Sequence, residues 1–373
     1  MNSLTIRVGP SAYRDIREQG FDVTKIKAIL GASGGPKWLV LSQLDRLILD
    51  KIIPQIKHPI HLISSSIGVW RFLCYAQDNP IKAIDEFERG YIEQNLPLNA
   101  GKKQISEHLR GMLDLTCSVS DLEAIVHHPQ LRTSILTTKN NHILKSERDP
   151  LLALGLLIAM LVNLFNRRAL RYFFSRGLFF DSREAPFFIK NNDFPMHHTP
   201  LTIGNLKDAV IASSSIPIFL EGVRNIKGAP EGVYRDGGIL DYHLDVMPVD
   251  KEHYALYPHF FDLLKPGWFD RPLFWRNLQI NNLDRTMYID CENGEYKIPN
   301  TNRTITDHEP YEKLTLDEIL IHSSNVGIVK ISNLLGQKKI YDSLKNFGLG
   351  HKTGIDLPGE ETGILRDRNH CAI

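Results

Sequence analysis

Ser66 stands in the run Ser64-Ser65-Ser66-Ile67-Gly68, directly after the apolar Leu62-Ile63 and directly before Val69-Trp70. A serine two positions ahead of a glycine, between a strand-like and a helix-like segment, has the pattern of a nucleophile elbow. That turn is strained and admits only small side chains two positions before and after the serine, because strand and helix backbones approach closely there. Ser66 is the candidate nucleophile. Gly68 fills the +2 position, and Ser64 stands at −2 where glycine is usual. A second stretch, Gly31-Ala32-Ser33-Gly34-Gly35-Pro36-Lys37, precedes it by about thirty residues. Its small residues let backbone amides converge at the start of a helix, a place for an anion, whether a phosphate or a developing oxyanion. The loop lacks the G-x-x-x-x-G-K-[ST] spacing of a P-loop. A third stretch, Asp236-Gly237-Gly238, presents one carboxylate where the chain must turn tightly, and Asp236 is the candidate partner of Ser66. Taken singly, each of the three is also what an ordinary turn looks like.

The elements that would position these residues read as alternating strand and helix. Residues 25–30 form a short β-like run. Residues 39–49 carry apolar side chains three and four apart, the spacing of an amphipathic helix. Pro36 suits the first helical turn, where its missing N–H is not needed. Residues 60–63 read as the next strand, and a helix including residues 70–75 follows. A βαβα order sets both loops at the carboxyl ends of neighbouring parallel strands, so the two stretches would face each other. Residues 81–128 read as mixed and mainly helical; adjacent side chains on a helix diverge, so His127-His128 read as surface residues. Residues 131–138 look like another strand, and residues 209–219 like a helix end broken by Pro217.

Asp149-Pro150 opens a helix by cap and first-turn rules, and residues 151–162 are almost wholly apolar. The run continues to Phe165 and meets Arg167, Arg168 and Arg171. Twelve to fifteen apolar residues fall short of the roughly twenty that span a membrane. Two readings of residues 151–174 stand: a buried or lid-like helix, or an interfacial helix with its arginines at lipid headgroups, making peripheral membrane contact.

A length of 373 residues suggests two domains, or one large α/β domain with an appendage. The net charge of +1, with scattered Lys and Arg, gives no reason to expect nucleic acid as a partner. The four cysteines, Cys74, Cys117, Cys291 and Cys371, have no C-x-x-C spacing and no metal-ligand spacing to histidine, so they read as free thiols in a reducing compartment. The N-terminus lacks the pattern of a secretory signal, and a cytoplasmic location is the expectation.

Together, Ser33-Gly34-Gly35-Pro36-Lys37, Ser64-Ser65-Ser66-Ile67-Gly68, Ala212-Ser213-Ser214-Ser215-Ile216-Pro217 and Asp236-Gly237-Gly238 resemble, in order, the motifs of the patatin-like phospholipases. The resemblance covers roughly residues 25–285, including Leu256-Tyr257-Pro258-His259-Phe260 and Pro266-Gly267-Trp268-Phe269-Asp270. It implies a three-layer α/β/α fold with a mainly parallel central sheet and a Ser–Asp dyad without a histidine. By that resemblance Ser66 attacks a lipid or other carboxylic ester, Asp236 takes its proton, Gly34 and Gly35 hold the oxyanion, and Lys37 is the family's basic residue. No metal or organic cofactor is implied. Ser64, Ala32 and Ser33 depart from the family pattern. A patatin-like scaffold that binds lipid without turning it over is the non-enzymatic alternative.

From about residue 286 the chain resembles something else. Met287-Tyr288-Ile289-Asp290, Ser323-Ser324-Asn325 and Gly350-His351-Lys352-Thr353-Gly354-Ile355-Asp356-Leu357-Pro358-Gly359 are similar to the transpeptidase domain of class B penicillin-binding proteins. In that family Ser323 and Asn325 would match the S-x-N motif. The nucleophile motif S-x-x-K occurs nowhere in the sequence, and Lys352-Thr353-Gly354 lies in a different part of the domain from the K-T-G strand. Residues 286–373 therefore read as an incomplete fragment that does not acylate, joined without a linker to a domain of residues 1–285.

Overall fold

A computed structural model describes residues 4–94, 100–186, 193–245, 249–260, 264–278 and 283–291, together with residues 295–297, 304–306, 338–339, 341–342 and 345–346. The chain divides into two compact units, Ile6–Asp290 and a second made of Met1–Thr5 with Cys291–Ile373. The strands are β1 (Leu4–Val8), β2 (Ile26–Gly31), β3 (Ile60–Ser65), β4 (Leu131–Asn140), β5 (Phe174–Phe180), β6 (Met196–Pro200), β7 (Val223–Arg224), β8 (Val233–Asp236), β9 (Tyr254–Pro258) and β10 (Thr286–Cys291). The helices are α1 (Pro10–Gln19), α2 (Ser42–Leu47), α3 (Ile67–Tyr75), α4 (Pro80–Glu93), α5 (Lys102–Thr116), α6 (Val119–His127), α7 (Asp149–Phe165), α8 (Ile203–Ser214) and α9 (Gly238–Asp241).

The strands form one sheet in the order β1-β10-β9-β2-β3-β4-β5-β6, with β8 paired to β4 and β7. From β10 to β4 every neighbouring pair is parallel. Strands of a parallel sheet are covered on both faces and so lack polar alternation. β3 accordingly is buried at all six positions. Ile29, Leu62, Ile135 and Leu256 face one layer, where they pack with Phe72 and Leu73 of α3, Ile84 of α4 and Val210 of α8. Leu30, Ile63, Leu136 and Tyr257 face the opposite side. Beyond β4, Leu152, Leu156 and Ala159 of α7 pack on Ile239 and Leu240 of α9. The arrangement is α/β with a central, mainly parallel sheet between helices, consistent with an α/β/α fold.

The helix expected over residues 39–49 is broken into three kinds of turn. A 3-10 segment, Gly35–Leu41, leads into α2, and a π turn follows at Ile48–Ile52. The π turn widens the helix by one residue, and Ile48, Leu49 and Ile53 all reach the core. α2 is anchored by a buried charge. Asp45 accepts from Arg71 Nε at 2.8 Å and from the Tyr75 hydroxyl at 2.8 Å, all three side chains being fully enclosed.

His127 is exposed, but His128 is not the free surface residue that its position suggests. It is half-buried, and its Nδ1 accepts the backbone N–H groups of Gln130 and Leu131 at 3.1 and 2.9 Å, shaping the turn into β4. Cys74 and Cys117 are buried free thiols, and burial pushes both upward in pKa. β10 pairs with β9 from Thr286↔Ala255 to Ile289↔Pro258, inside the first compact unit, Ile6–Asp290. Of the second unit, an antiparallel pair, β11 (Glu295–Lys297) with β12 (Thr304–Thr306), is described. No helix among the described residues is long and apolar enough to cross a membrane.

Candidate active site

β4 brings the site together by pairing with two strands along one edge. Its first six residues run parallel to β3, ending at Ser65↔Leu136. Its last four run antiparallel to β8, beginning at Thr137↔Asp236. β5 occupies the other edge, so β3 and β8 meet carboxyl end to carboxyl end. Ser66 follows the last residue of β3, and Asp236 is the last residue of β8. At that junction Ser66 Oγ donates a hydrogen bond to Asp236 Oδ2 at 2.8 Å, across 170 residues of sequence.

Ser66 has φ 53° and ψ −127°, a left-handed conformation that a side chain rarely adopts. Such a residue stores roughly 1–3 kcal/mol of strain. The surroundings hold it. Its backbone N–H donates to Ser213 Oγ at 2.9 Å, and Ser213 Oγ donates onward to the Leu136 carbonyl at 2.6 Å. Gly68 lies where a Cβ would stand 2.2 Å from the Gly31 carbonyl oxygen. Ser64 is paired directly with Gly31, and a Cβ on Gly31 would lie 3.0 Å from that of Ser64. The space that glycine would leave at the −2 position is thus supplied from across the ladder by Gly31.

Asp236 is almost fully enclosed. Its Oδ1 accepts the Gly238 N–H at 2.7 Å, while Oδ2 takes the Ser66 hydroxyl. Both bonds favour the carboxylate, but burial outweighs them and raises the carboxyl from the usual 3.8 to about 7. Gly237 and Gly238 are required by crowding. A Cβ on the first would sit 2.2 Å from the Leu136 carbonyl, and on the second 2.6 Å from Ser33 Oγ.

The glycine loop adjoins this junction. Ser65 Oγ donates to the Asp241 carbonyl at 2.8 Å, which leaves Ser33 Oγ as the donor in its 2.7 Å bond to Ser65 Oγ. Ser33 N–H is taken by the Tyr242 carbonyl at 3.0 Å. The Phe260 ring lies where a Cβ on Gly34 would be, 2.1 Å away, and Gly35 has φ +57°. Gly34 caps the 3-10 segment that Gly35 opens, so its first amides have no partner within the helix. Lys37 is exposed on that segment, and its ammonium is lowered by partial burial and by the nearby Arg271 guanidinium.

Behind the pair, Arg176 grips Asp241 through two bonds of 2.7 Å, fixing α9 directly after the Asp-Gly-Gly turn. Sequence reading assigned no role to Ser213 or Phe260, although both lie in stretches that it singled out. The spacing of an acceptor 147 residues from Ser66 is set only by the closed fold. Ser323 and Asn325 lie outside the described residues. Among the described residues no group of three or more His, Cys, Asp or Glu is arranged to hold a metal ion.

Comparison with known proteins finds similarity at the other end of the chain. Residues 278–371 match a family model described as the penicillin-binding protein transpeptidase domain. Stage V sporulation protein D of Bacillus subtilis is 50% identical over 48 residues, which are 13% of this chain and 7% of that protein. Penicillin-binding protein PbpB of Mycobacterium tuberculosis is 38% identical over 65 residues, 16% of this chain and 10% of the relative. The peptidoglycan D,D-transpeptidase FtsI of Buchnera aphidicola is 43% identical over 61 residues, covering 16% and 11%. The chain therefore spans about a tenth or less of the length of these relatives. Among solved structures, VipD from Legionella pneumophila is similar with a TM-score of 0.31 and 13% identity, covering 63% of this chain and 50% of that one.

Proposed function

We propose that the unit Ile6–Asp290 is a serine acyl hydrolase of the patatin-like kind, cleaving carboxylic esters of the lipid class through a Ser66–Asp236 dyad. The observation that carries this reading is the 2.8 Å bond from Ser66 Oγ to a buried carboxylate, made at a turn held in a strained conformation. Ser66 Oγ adds to the ester carbonyl as its proton passes to Asp236. The carbonyl oxygen becomes an oxyanion beside the Gly34 and Gly35 amides, and removal of one such donor typically costs about a hundred- to a thousandfold in rate. The tetrahedral adduct collapses, the alcohol leaves with the proton from Asp236, and an acyl-serine remains. Water then repeats the sequence with Asp236 as base, releasing the acid and restoring Ser66.

A fluorophosphonate probe tests the reading without knowledge of the natural ester, since it reacts with an activated serine. One equivalent of label, found by peptide mass mapping on the segment holding Ser66, is the expected result. A folded chain that takes no label would leave the non-catalytic lipid-binding scaffold as the better reading. The match over residues 278–371 favours a second assignment, a penicillin-binding transpeptidase fragment. Lacking S-x-x-K, that region is expected to stay unlabelled when a fluorescent penicillin is added to the same preparation.

A further inference from the structure

α7 is apolar on both faces, where a helix with one side in water would carry polar residues outward. Its inward side carries Leu152, Gly155, Leu156, Ala159 and the polar Asn163, whose Nδ2 donates to Asp270 at 2.8 Å. Its outward side carries Leu154, Leu157, Ile158, Leu161, Leu164 and Phe165, of which the first five are 39–50% exposed and Phe165 is 85% exposed. At 100° per residue these positions sweep about a third of the helix circumference, and no charged residue interrupts them. Scattered exposed leucines are ordinary, whereas a contiguous apolar face marks a binding surface.

The flanks of this face have a consistent chemistry. Arg168 and Arg171 follow its carboxyl end and Lys145 and Arg148 precede its amino end; all four are exposed, and none forms an ion pair among the described residues. Exposed aromatic rings gather at the carboxyl end. Tyr172 lies just beyond Phe165, while Phe274 and Trp275, 83% and 54% exposed, adjoin Arg276, whose guanidinium reaches the Leu164 carbonyl. A second copy of the chain would be a poor occupant. At the amino end Glu147 and Asp149 are already paired with Arg235 and Lys102, so both ends of the face keep a basic excess, and pairing it with itself, parallel or antiparallel, sets like charges together. An anionic surface satisfies both ends at once.

We propose that α7 is an interfacial helix that docks the protein, lying flat, on an anionic phospholipid surface. Its seventeen residues extend about 25 Å, and Leu, Phe and Trp would enter the acyl boundary while the four basic side chains meet headgroup phosphates. The same helix rests its inner face on Ile239 and Leu240, just after Asp236, so docking sets the element that follows the dyad's carboxylate about one helix diameter from the lipid. That the surface also supplies the ester rests on the function proposed above; the docking itself does not.

The test is co-sedimentation of the full chain with vesicles of phosphatidylcholine alone and of phosphatidylcholine mixed with phosphatidylglycerol. Binding to the mixed vesicles that weakens with salt is expected. An Arg168→Gln/Arg171→Gln variant should bind them about thirtyfold more weakly, at about fivefold per basic residue. Leu157→Glu/Leu161→Glu should lose binding to both, with circular dichroism and thermal midpoint as in the parent. Ser66→Ala should sediment like the parent, which separates this proposal from the catalytic one. A parent that binds neither vesicle overturns the proposal. So does a parent dimer in analytical ultracentrifugation that Leu157→Glu/Leu161→Glu converts to monomer, since that makes a second copy the occupant.

Discussion

Replacing Asp236 with Asn is expected to slow ester hydrolysis about ten-thousandfold, the loss seen when a triad carboxylate becomes an amide, and to make the folded protein harder to unfold at neutral and alkaline pH. The first effect follows from chemistry. An amide oxygen can accept the Ser66 hydrogen bond but cannot take the proton. The second follows from burial, which raises the carboxyl from 3.8 to about 7 in the folded state. A folded pKa above the unfolded one means that the native state prefers the protonated carboxyl. The stability from this group is therefore full below about pH 4 and is lost as pH rises towards 7, reaching a cost on the order of 4 kcal/mol above it. Asn bears no such cost. The difference in urea midpoint between Asp236→Asn and the parent should thus grow between about pH 4 and about pH 7 and then level off. From about pH 6 to about pH 8, kcat/KM of the parent should rise with a midpoint near 7, because the base of the free enzyme must be ionised to act. A variant with kcat within tenfold of the parent, or a stability difference that ignores pH, would remove Asp236 from the role proposed for it.

Gly68→Ala should cost about 3 kcal/mol, the upper end of what overpacking a well-packed core typically costs. The added methyl would meet the Gly31 carbonyl oxygen at 2.2 Å, its carbon at 2.4 Å and its Cα at 2.9 Å. These are backbone atoms of a strand paired on both sides, so no side chain can swing away. Gly90→Ala provides the contrast. Gly90 lies inside α4 with nothing within 4 Å of a built Cβ, and alanine there should add up to about 1 kcal/mol through helix propensity. Opposite shifts of the denaturation midpoint are expected from the same chemical change. A loss at Gly68 below about 1 kcal/mol would mean that β2 and α3 do not approach as closely as the fold requires.

Much of this arrangement was legible because the chemistry and the local structure coincide. Small residues at 31–35 and 64–68 signal both a tight turn and a backbone that can reach a ligand, and apolar runs before them signal buried parallel strands. What was hidden depends on long-range closure. Nothing near Leu136 or Thr137 announces that β4 changes partners between them. The departure at Ser64 reads as a defect until its neighbour in the ladder proves to be Gly31. The enclosed pairs Asp45–Arg71 and Arg176–Asp241 are, in sequence, only scattered charges, because their partners are 26 and 65 residues apart. Residues 39–49 kept their apolar spacing while their turns became 3-10, α and π, since burial follows the spacing more closely than the hydrogen-bond pattern does.

The change of partner along β4 also orders events in time during synthesis. β2, β3 and the first half of β4 have all been made once Leu136 has been added, whereas Ser213, which takes the Ser66 N–H, and Asp236, which takes its hydroxyl, are still to come. The strand carrying Asp236 is made about a hundred residues later, roughly 5–20 s at ordinary elongation rates, and only then can it fill the vacant half-edge. A chain that ends before β8 lacks the carboxylate that accepts from Ser66. The hydrogen bond from Ser66 to Asp236 spans 170 residues, so its formation reports that β8 has taken its place beside β4.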